Sequence, residues 1–287
     1  MALVTLREML QDAVLGKYAV GSFNATDYSM AEAILEVSEE KGLPVILSVA
    51  EVHFRYLDLE HFIPYLRQRI EKMTTPVVLH LDHGLSLETI QRGLELGFSS
   101  VMIDASKLPY EDNVKISGKV VELARKYGAS VEAELGQVGG GEGDLTAGTA
   151  ADPQFYTDPE QAASFVKETG IDALAVAIGT VHGPYKGEPH LELELLQEIR
   201  SKVAIPLVLH GGSGLSAEQF QQAIACGINK INFFTECSLA AVEEVRNVLV
   251  AGQPVSYPDL IQAAKQRIRE VVENQMEIFG TRPISKK

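Results

Sequence analysis

Residues 77–97 read VVLHLDHGLSLETIQRGLELG, and this stretch decides the fold. Val77–Asp82 is mostly apolar with little polar alternation, the pattern of a parallel strand covered on both faces. Ser86 then stands as an N-cap, with Thr89 three residues on, and Gly97 follows the last turn of a helix over Leu87–Leu96. A strand, a short loop and a helix fill the whole stretch.

The same unit recurs along the chain. Further strands are expected at Ala19–Phe23, Pro44–Val49, Ser100–Asp104, Ser130–Leu135, Ala173–Ala177, Pro206–His210 and Lys230–Phe234. Helical periodicity marks Ser29–Lys41, Asn113–Tyr127, Pro159–Thr169, Leu191–Lys202 and Ala217–Cys226. Eight βα units in series imply an α/β protein closed as a (β/α)8 TIM barrel rather than an open sheet. No early strand-to-helix turn carries G-x-G-x-x-G, which argues against a dinucleotide fold. Extra helices are expected at both ends: an amphipathic one within Met1–Gly16, carrying Arg7, Glu8 and Asp12, and a final one over Asp259–Phe279. With no repeat, low-complexity tract or long polar linker, residues 1–287 read as a single domain. Gly136–Tyr156, which holds G-G-G-E-G-D, reads as a long mobile loop after the fifth strand, and Ala251–Pro258 as a second irregular segment.

Composition sets the outer limits. The chain is 46% hydrophobic and 22% charged, as in ordinary globular proteins. Its 39 acidic and 25 basic residues give a net charge of −14, which argues against nucleic acid or an anionic membrane as the main partner. No apolar run approaches the ~18 residues of a membrane span, and the N-terminus lacks the apolar core of a signal peptide. Cys226 and Cys237 form no C-x-x-C pair and suit a reducing compartment, packed at helix ends. The expectation is a soluble, cytoplasmic protein.

In such a barrel the chemistry sits at the C-terminal ends of the strands. The third strand ends in His80-Leu81-Asp82-His83-Gly84 and the fourth in Asp104, while the fifth carries Glu132 and Glu134. The sixth runs into Gly179-Thr180-Val181-His182-Gly183, the seventh into His210-Gly211-Gly212-Ser213-Gly214, and the eighth into Asn232-Phe233-Phe234-Thr235. The chain has only seven histidines, and chance would rarely put so many at strand ends. A catalytic zinc takes a few imidazoles and keeps a position open for substrate, so His83, His182 and His210 are the candidate ligands. His80 shares a strand face with Asp82 and reads as a partner to the ligands, or else as an alternative ligand. His53, His61 and His190 read as surface residues. Glycine-rich and hydroxyl-bearing loops after the seventh and eighth strands suit a phosphate.

These residues resemble the class II, metal-dependent ketose-bisphosphate aldolases, near the tagatose- and fructose-bisphosphate branch. The match runs from Tyr18-Ala19-Val20-Gly21-Ser22-Phe23-Asn24 almost to Gly280. Its most specific pieces are L-H-L-D-H-G (79–84), V-E-A-E-L-G (131–136), A-I-G-T-V-H-G-P-Y-K-G-E-P (177–189) and P-L-V-L-H-G-G-S-G (206–214). The resemblance implies reversible cleavage of a phosphorylated ketose into dihydroxyacetone phosphate and an aldehyde, through a zinc-stabilised enediolate. It implies Zn2+ on His83, His182 and His210, and a proton exchanged by Asp82 with the hydroxyl at the breaking bond. Glu142 matches the mobile glutamate that moves a proton on and off the nucleophilic carbon. Asp104 and Glu134 match a second divalent position, or else form salt bridges in the barrel mouth. Gly183, Gly211, Ser213, Asn232 and Thr235 match the phosphate-binding set, and Asn24 a substrate-side asparagine. A monovalent cation (Na+ or K+) near the Gly183 and Gly211 carbonyls and a homodimer or homotetramer are also implied.

Two departures bear on the substrate. Phe233 and Phe234 stand where relatives place smaller or acidic residues, and they should alter barrel packing or narrow the pocket. Near Pro254–Pro258 the P-R-x-Y-like stretch of bisphosphate enzymes is missing, leaving Arg55, Arg267, Arg269 and Arg282 as substitutes for its distal-phosphate arginine. The rival readings are a barrel metallohydrolase and a non-catalytic accessory subunit of an aldolase system.

Overall fold

The computed structural model describes residues 2–141, 152–183, 185 and 187–284. Eight parallel strands close on themselves in chain order, with β8 paired to β1. They are β1 (Val20–Asn24), β2 (Val45–Ala50), β3 (Val77–Gly84), β4 (Ser100–Ile103), β5 (Ser130–Leu135), β6 (Ala173–Val176), β7 (Leu207–Leu209) and β8 (Ile228–Phe233). The expected strands match these within two residues at each end. The helices are α1 (Leu6–Gly16), α2 (Tyr28–Lys41), α3 (Leu59–Glu71), α4 (Leu87–Leu96), α5 (Tyr110–Arg125), α6 (Pro159–Thr169), α7 (Leu193–Lys202), α8 (Ala217–Ala225), α9 (Thr235–Val250) and α10 (Tyr257–Ile278). A 3-10 helix, Glu51–Tyr56, follows β2 directly. Two helices were not marked by periodicity: α3, which carries Pro64 in its interior, and α9, which starts inside the candidate phosphate segment.

Side chains alternate along a strand, so every second residue enters the barrel. Climbing the strands by twos moves from apolar to polar to reactive: Val20, Ser22, Asn24 on β1 and Val78, His80, Asp82 on β3. The lowest positions, Val20, Ile46, Val78, Ala173 and Val208, pack against Leu6, Met9, Leu10 and Ala13 of α1. Helix α1 thus plugs the barrel floor, and a capping box between Thr5 and Glu8 fixes its start. Midway up, Ser22 and Ser48 hydroxyls bond at 2.6 Å, His80 Nδ1 meets Ser100 Oγ at 2.8 Å, and Lys230 Nζ donates to Glu132 at 2.7 Å. The outward-facing residues join the helices in the larger apolar core.

The C-terminal helices lock the seam where the barrel closes. Helix α10 is tied to α2 by Lys265 and Arg269 on Glu36, by Arg269 on Glu40 and by Lys41 on Glu273. At its end the Phe279 ring meets Phe220 and Phe233 edge-on at 5.0 and 6.3 Å. Its carbonyl accepts the Ala19 N–H, and Thr281 Oγ1 donates to the Ala19 carbonyl at 2.8 Å. Phe233 is buried in this cluster, so the first half of the aromatic departure on β8 serves packing. Phe279→Ala should lower unfolding stability by about 3–5 kcal/mol, the usual cost of an emptied phenylalanine site, as read by denaturant titration. A loss below 1 kcal/mol would mean the cluster does not hold the seam.

Candidate metal centre

Strict alternation on β3 would turn His83 outward, because Asp82 points in. The register between β3 and β4 shifts between Leu81 and Gly84, and His83 takes φ +46°. This bulge brings Asp82 and His83, adjacent in sequence, to the same mouth. A left-handed backbone at a non-glycine residue costs about 1–3 kcal/mol, the kind of strain found at functional sites. His182 arrives from the loop after β6, held by its own N–H on the Gly139 carbonyl at 2.7 Å. His210 is the residue after β7. Gly211 then turns at φ +66°, and a Cβ there would sit 2.4 Å from the Val181 carbonyl oxygen. Only glycine lets the two histidine loops pass so closely.

The three imidazoles converge as expected. Their ligand atoms lie within 4.8 Å of one another, and all three residues are buried. His83 Nε2 and His210 Nδ1 face each other at 2.9 Å. The far nitrogens are both committed to carboxylates: His83 Nδ1 to Asp104 at 2.9 Å and His210 Nε2 to Glu132 at 2.9 Å. A neutral imidazole has one N–H, and the carboxylates draw it outward. Two lone pairs are left pointing at one place, an arrangement that suits a cation. Burial, then the neighbouring histidines, hold His182 well below the usual histidine pKa. Burial likewise lowers His210, against the pull of Glu132. Neutral imidazole is the metal-binding form. The donor set fits a divalent metal.

The carboxylates divide into distinct environments. Asp82 is fully buried, and its two oxygens accept from Asn24 Nδ2 and Asn232 Nδ2, each at 3.0 Å. Burial would raise its pKa, but the adjacent His83, the Lys230 ammonium and the His210 ring hold it well below the carboxylate range. His80 stands 3.8 Å from Asp82 and bonds Ser100 instead, so it underlies the site rather than joining the ligands. Burial would also raise Glu132, yet Lys230 and His210 hold it at about 2. Asp104, Glu134 and His83 form a second group within 4.8 Å that shares His83 with the first. Burial and the nearby Asp104 charge push Glu134 up to about 8, and its buried Oε2 has no partner among the described residues. Glu142 lies outside the described residues.

Beside the histidines, the expected phosphate set comes together. Helix α9 begins at Thr235 with Phe234 as its cap residue and no side-chain cap bond, which leaves N–H groups of a 16-residue helix at the mouth. Ser213 Oγ accepts the Glu236 N–H at 3.5 Å, and Gly183 and Gly211 both turn at positive φ. Tyr185, which the sequence motifs contained but did not single out, donates its hydroxyl to the Gly211 carbonyl at 2.7 Å and so braces the two loops.

Three further residues were not foreseen in their roles. Glu132 orients His210, a candidate ligand, and Lys230, fully buried on β8, balances its charge. The signal was a lysine in an apolar strand, which needs a buried partner. His53, expected at the surface, is buried, with its ring 4.5 Å from that of Phe234. The cause is local. Glu51 anchors the 3-10 helix by accepting from the Leu85 N–H and the Thr89 hydroxyl, and this folds His53 beneath Phe234. His61 and His190 are exposed as expected.

Glu132→Gln should weaken metal binding by about 10- to 100-fold although Glu132 is in neither ligand group. It should also cost about 3–5 kcal/mol in stability, because Lys230 loses its counter-charge. Chelator competition and denaturant titration read the two effects; unchanged metal affinity would break the link between Glu132 and His210.

Known proteins resemble this chain along its length. The chain is 45% identical over 285 residues to a fructose-bisphosphate aldolase of Geobacillus stearothermophilus, covering 98% of each chain. It is also 45% identical over 285 residues to one of Staphylococcus aureus, again covering 98% of each. Among solved structures, the YdjI aldolase of Escherichia coli K12 superposes with a TM-score of 0.86 at 34% identity, covering 97% of this chain and 98% of that one. The family model described as fructose-bisphosphate aldolase class-II matches residues 4–283. Fold, buried histidine cluster and relatives lead to one conclusion: the chain belongs to the class II fructose-bisphosphate aldolase family, and it is a metal-dependent aldolase.

Proposed function

We propose that the enzyme cleaves a ketose 1-phosphate or bisphosphate, reversibly, into dihydroxyacetone phosphate and an aldehyde, with zinc on His83, His182 and His210. The observation that carries this reading is the position of Asp82: adjacent to a ligand, fully buried, and held by two asparagine amides. When bound, the zinc ion supplies Lewis acidity toward the substrate carbonyl. Asp82, ionised and aimed by Asn24 and Asn232, accepts the proton of the hydroxyl on the carbon that becomes the aldehyde. As the carbon–carbon bond breaks, its electron pair passes to the dihydroxyacetone phosphate carbon. Glu142 then delivers the proton that this carbon requires, from the glycine-rich segment after β5. Ser213, Thr235 and the backbone N–H groups around Gly183, Gly211 and the start of α9 hold the phosphate, which fixes the reacting carbons beside Asp82.

Other features are consistent with the remaining expectations. Asp104 and Glu134, with His83, offer a second divalent position. Carbonyls near Gly183 and Gly211 would take a monovalent cation beside the phosphate. Leu239, Val242, Leu249 and Val250 expose apolar surface on α9, which favours a homodimer or homotetramer. Free Cys226 and Cys237 accord with a reducing, cytoplasmic setting.

The Geobacillus and Staphylococcus relatives are named fructose-bisphosphate aldolases, so fructose 1,6-bisphosphate is the first substrate to assay, beside tagatose 1,6-bisphosphate and ketose 1-phosphates. Chelated protein should lose cleavage and regain it with zinc. His182→Ala should lose most bound metal. Asp82→Ala should keep the metal while turnover falls by about 100- to 10,000-fold, as for loss of a proton-transfer group. Full activity in Asp82→Ala, or no zinc-dependent cleavage of any ketose phosphate, would overturn the reading.

A further inference from the structure

The loops that carry His182 and His210 cross at backbone contact, and one side chain is set into the crossing. Tyr185 donates its hydroxyl to the Gly211 carbonyl at 2.7 Å, and the same oxygen accepts the Val181 N–H at 3.2 Å. Val181 is the residue before His182, and Gly211 is the residue after His210. A relay from the Val181 N–H through the Tyr185 hydroxyl to the Gly211 carbonyl therefore ends one residue from each of two candidate ligands. Each bond in such a chain polarises the next. Burial pushes the Tyr185 hydroxyl up to about 12, so it keeps its proton and serves as a donor.

The ring makes a second contact with the same loop. Gly214 turns at φ +99°, and a Cβ there would sit 3.1 Å from Cδ2 of the Tyr185 ring. The tyrosine thus meets both ends of Gly211-Gly212-Ser213-Gly214, with its hydroxyl on the first residue and its ring against the last. Between them, Ser213 Oγ accepts the Glu236 N–H in the first turn of α9. A glycine-rich loop has little steric preference of its own, so its shape must be imposed by neighbours. On the far side of the crossing, the segment after β5 supports the His182 loop. It does so through the Gly139–Val181 bridge and the His182 N–H on the Gly139 carbonyl. Without the tyrosine hydroxyl, Val181 and His182 would keep that support, while the glycine loop would lose this tie to them.

We propose that Tyr185 is a positioning residue that sets the Gly211–Gly214 phosphate loop against the His182 loop, so that the grip on phosphate and the grip on metal are coupled through its hydroxyl. This role rests on the aldolase reading and its phosphate site, and it adds the side chain that orders that site. The hydroxyl acts through two peptide groups. A peptide unit is planar, so holding the Gly211 carbonyl also fixes the direction of the Gly212 N–H. Holding the Val181 N–H fixes, in the same way, the peptide that leads into His182.

The test uses zinc-loaded full-length enzyme condensing dihydroxyacetone phosphate with uncharged glyceraldehyde. Tyr185→Phe keeps the ring against Gly214 and removes only the hydroxyl, leaving the Val181 N–H and the Gly211 carbonyl without it. KM for dihydroxyacetone phosphate should rise by about 10-fold, the worth of a buried hydrogen bond whose partners are left unpaired. KM for glyceraldehyde should stay within about twofold and kcat within about threefold, because Asp82 and its two asparagines are untouched. The zinc dissociation constant, read by chelator competition without substrate, should rise by about 3- to 10-fold, as for loss of a group that orients ligands from behind. Placing 4-aminophenylalanine at position 185 restores a donor toward Gly211 and should return KM for dihydroxyacetone phosphate to within about threefold of wild type. A Tyr185→Phe enzyme that loses stability while both KM values and zinc affinity stay unchanged would overturn the role. So would equal rises in KM for both substrates, or a 4-aminophenylalanine enzyme no better than Tyr185→Phe. Failure of wild-type enzyme to exchange a dihydroxyacetone phosphate proton with solvent would instead overturn the aldolase reading.

Discussion

Glu132 is the carboxylate on which the barrel interior depends. It sits at mid-height on β5, accepts from Lys230 across the barrel and from His210 above, and is fully buried. An unpaired charge at that depth would be untenable, and so would either partner alone. Together they form a neutral floor beneath the metal centre. The same contact that balances Lys230 also fixes which nitrogen of His210 faces the mouth. Stability and ligand orientation therefore share one carboxylate, and the site cannot be loosened without cost to the core.

Above that floor, the arrangement is completed by a local departure from regular strand geometry. The bulge at Asp82–His83 gives one strand end two inward-facing groups, a carboxylate and an imidazole, side by side. Asp104, at the end of the neighbouring strand, then sets the tautomer of His83 as Glu132 sets that of His210. Glycine at 211 brings the remaining loops close enough for His182 to join. A rigid lower barrel and a strained upper rim are thus parts of one design: α1 and the apolar floor make the strain bearable.

Much of this was legible in the sequence, for physical reasons. Parallel strands buried on both faces announce themselves as short apolar runs, and Ser86 and Gly97 mark where a helix starts and stops. Strand ends converge in a closed barrel, so His83, His182 and His210 could be grouped despite their separation along the chain. What could not be read was whatever depends on a register shift or a loop path. The bulge that turns His83 inward leaves no compositional trace. His53 looked like a surface residue because its burial follows from Glu51 reaching across to the next strand's loop. Helix α9 was obscured because its first residues carry the hydroxyl and amide groups of the mouth.

One divalent ion is expected among His83, His182 and His210, with the tautomers of His83 and His210 fixed from behind by Asp104 and Glu132. Anomalous diffraction at the zinc edge from crystals of the zinc-loaded enzyme tests it most directly. A peak about 2.0–2.1 Å from His83 Nε2, His210 Nδ1 and a ring nitrogen of His182 is the predicted result. A peak confined to Asp104 and Glu134, or coordination through the nitrogens that face Asp104 and Glu132, would contradict it.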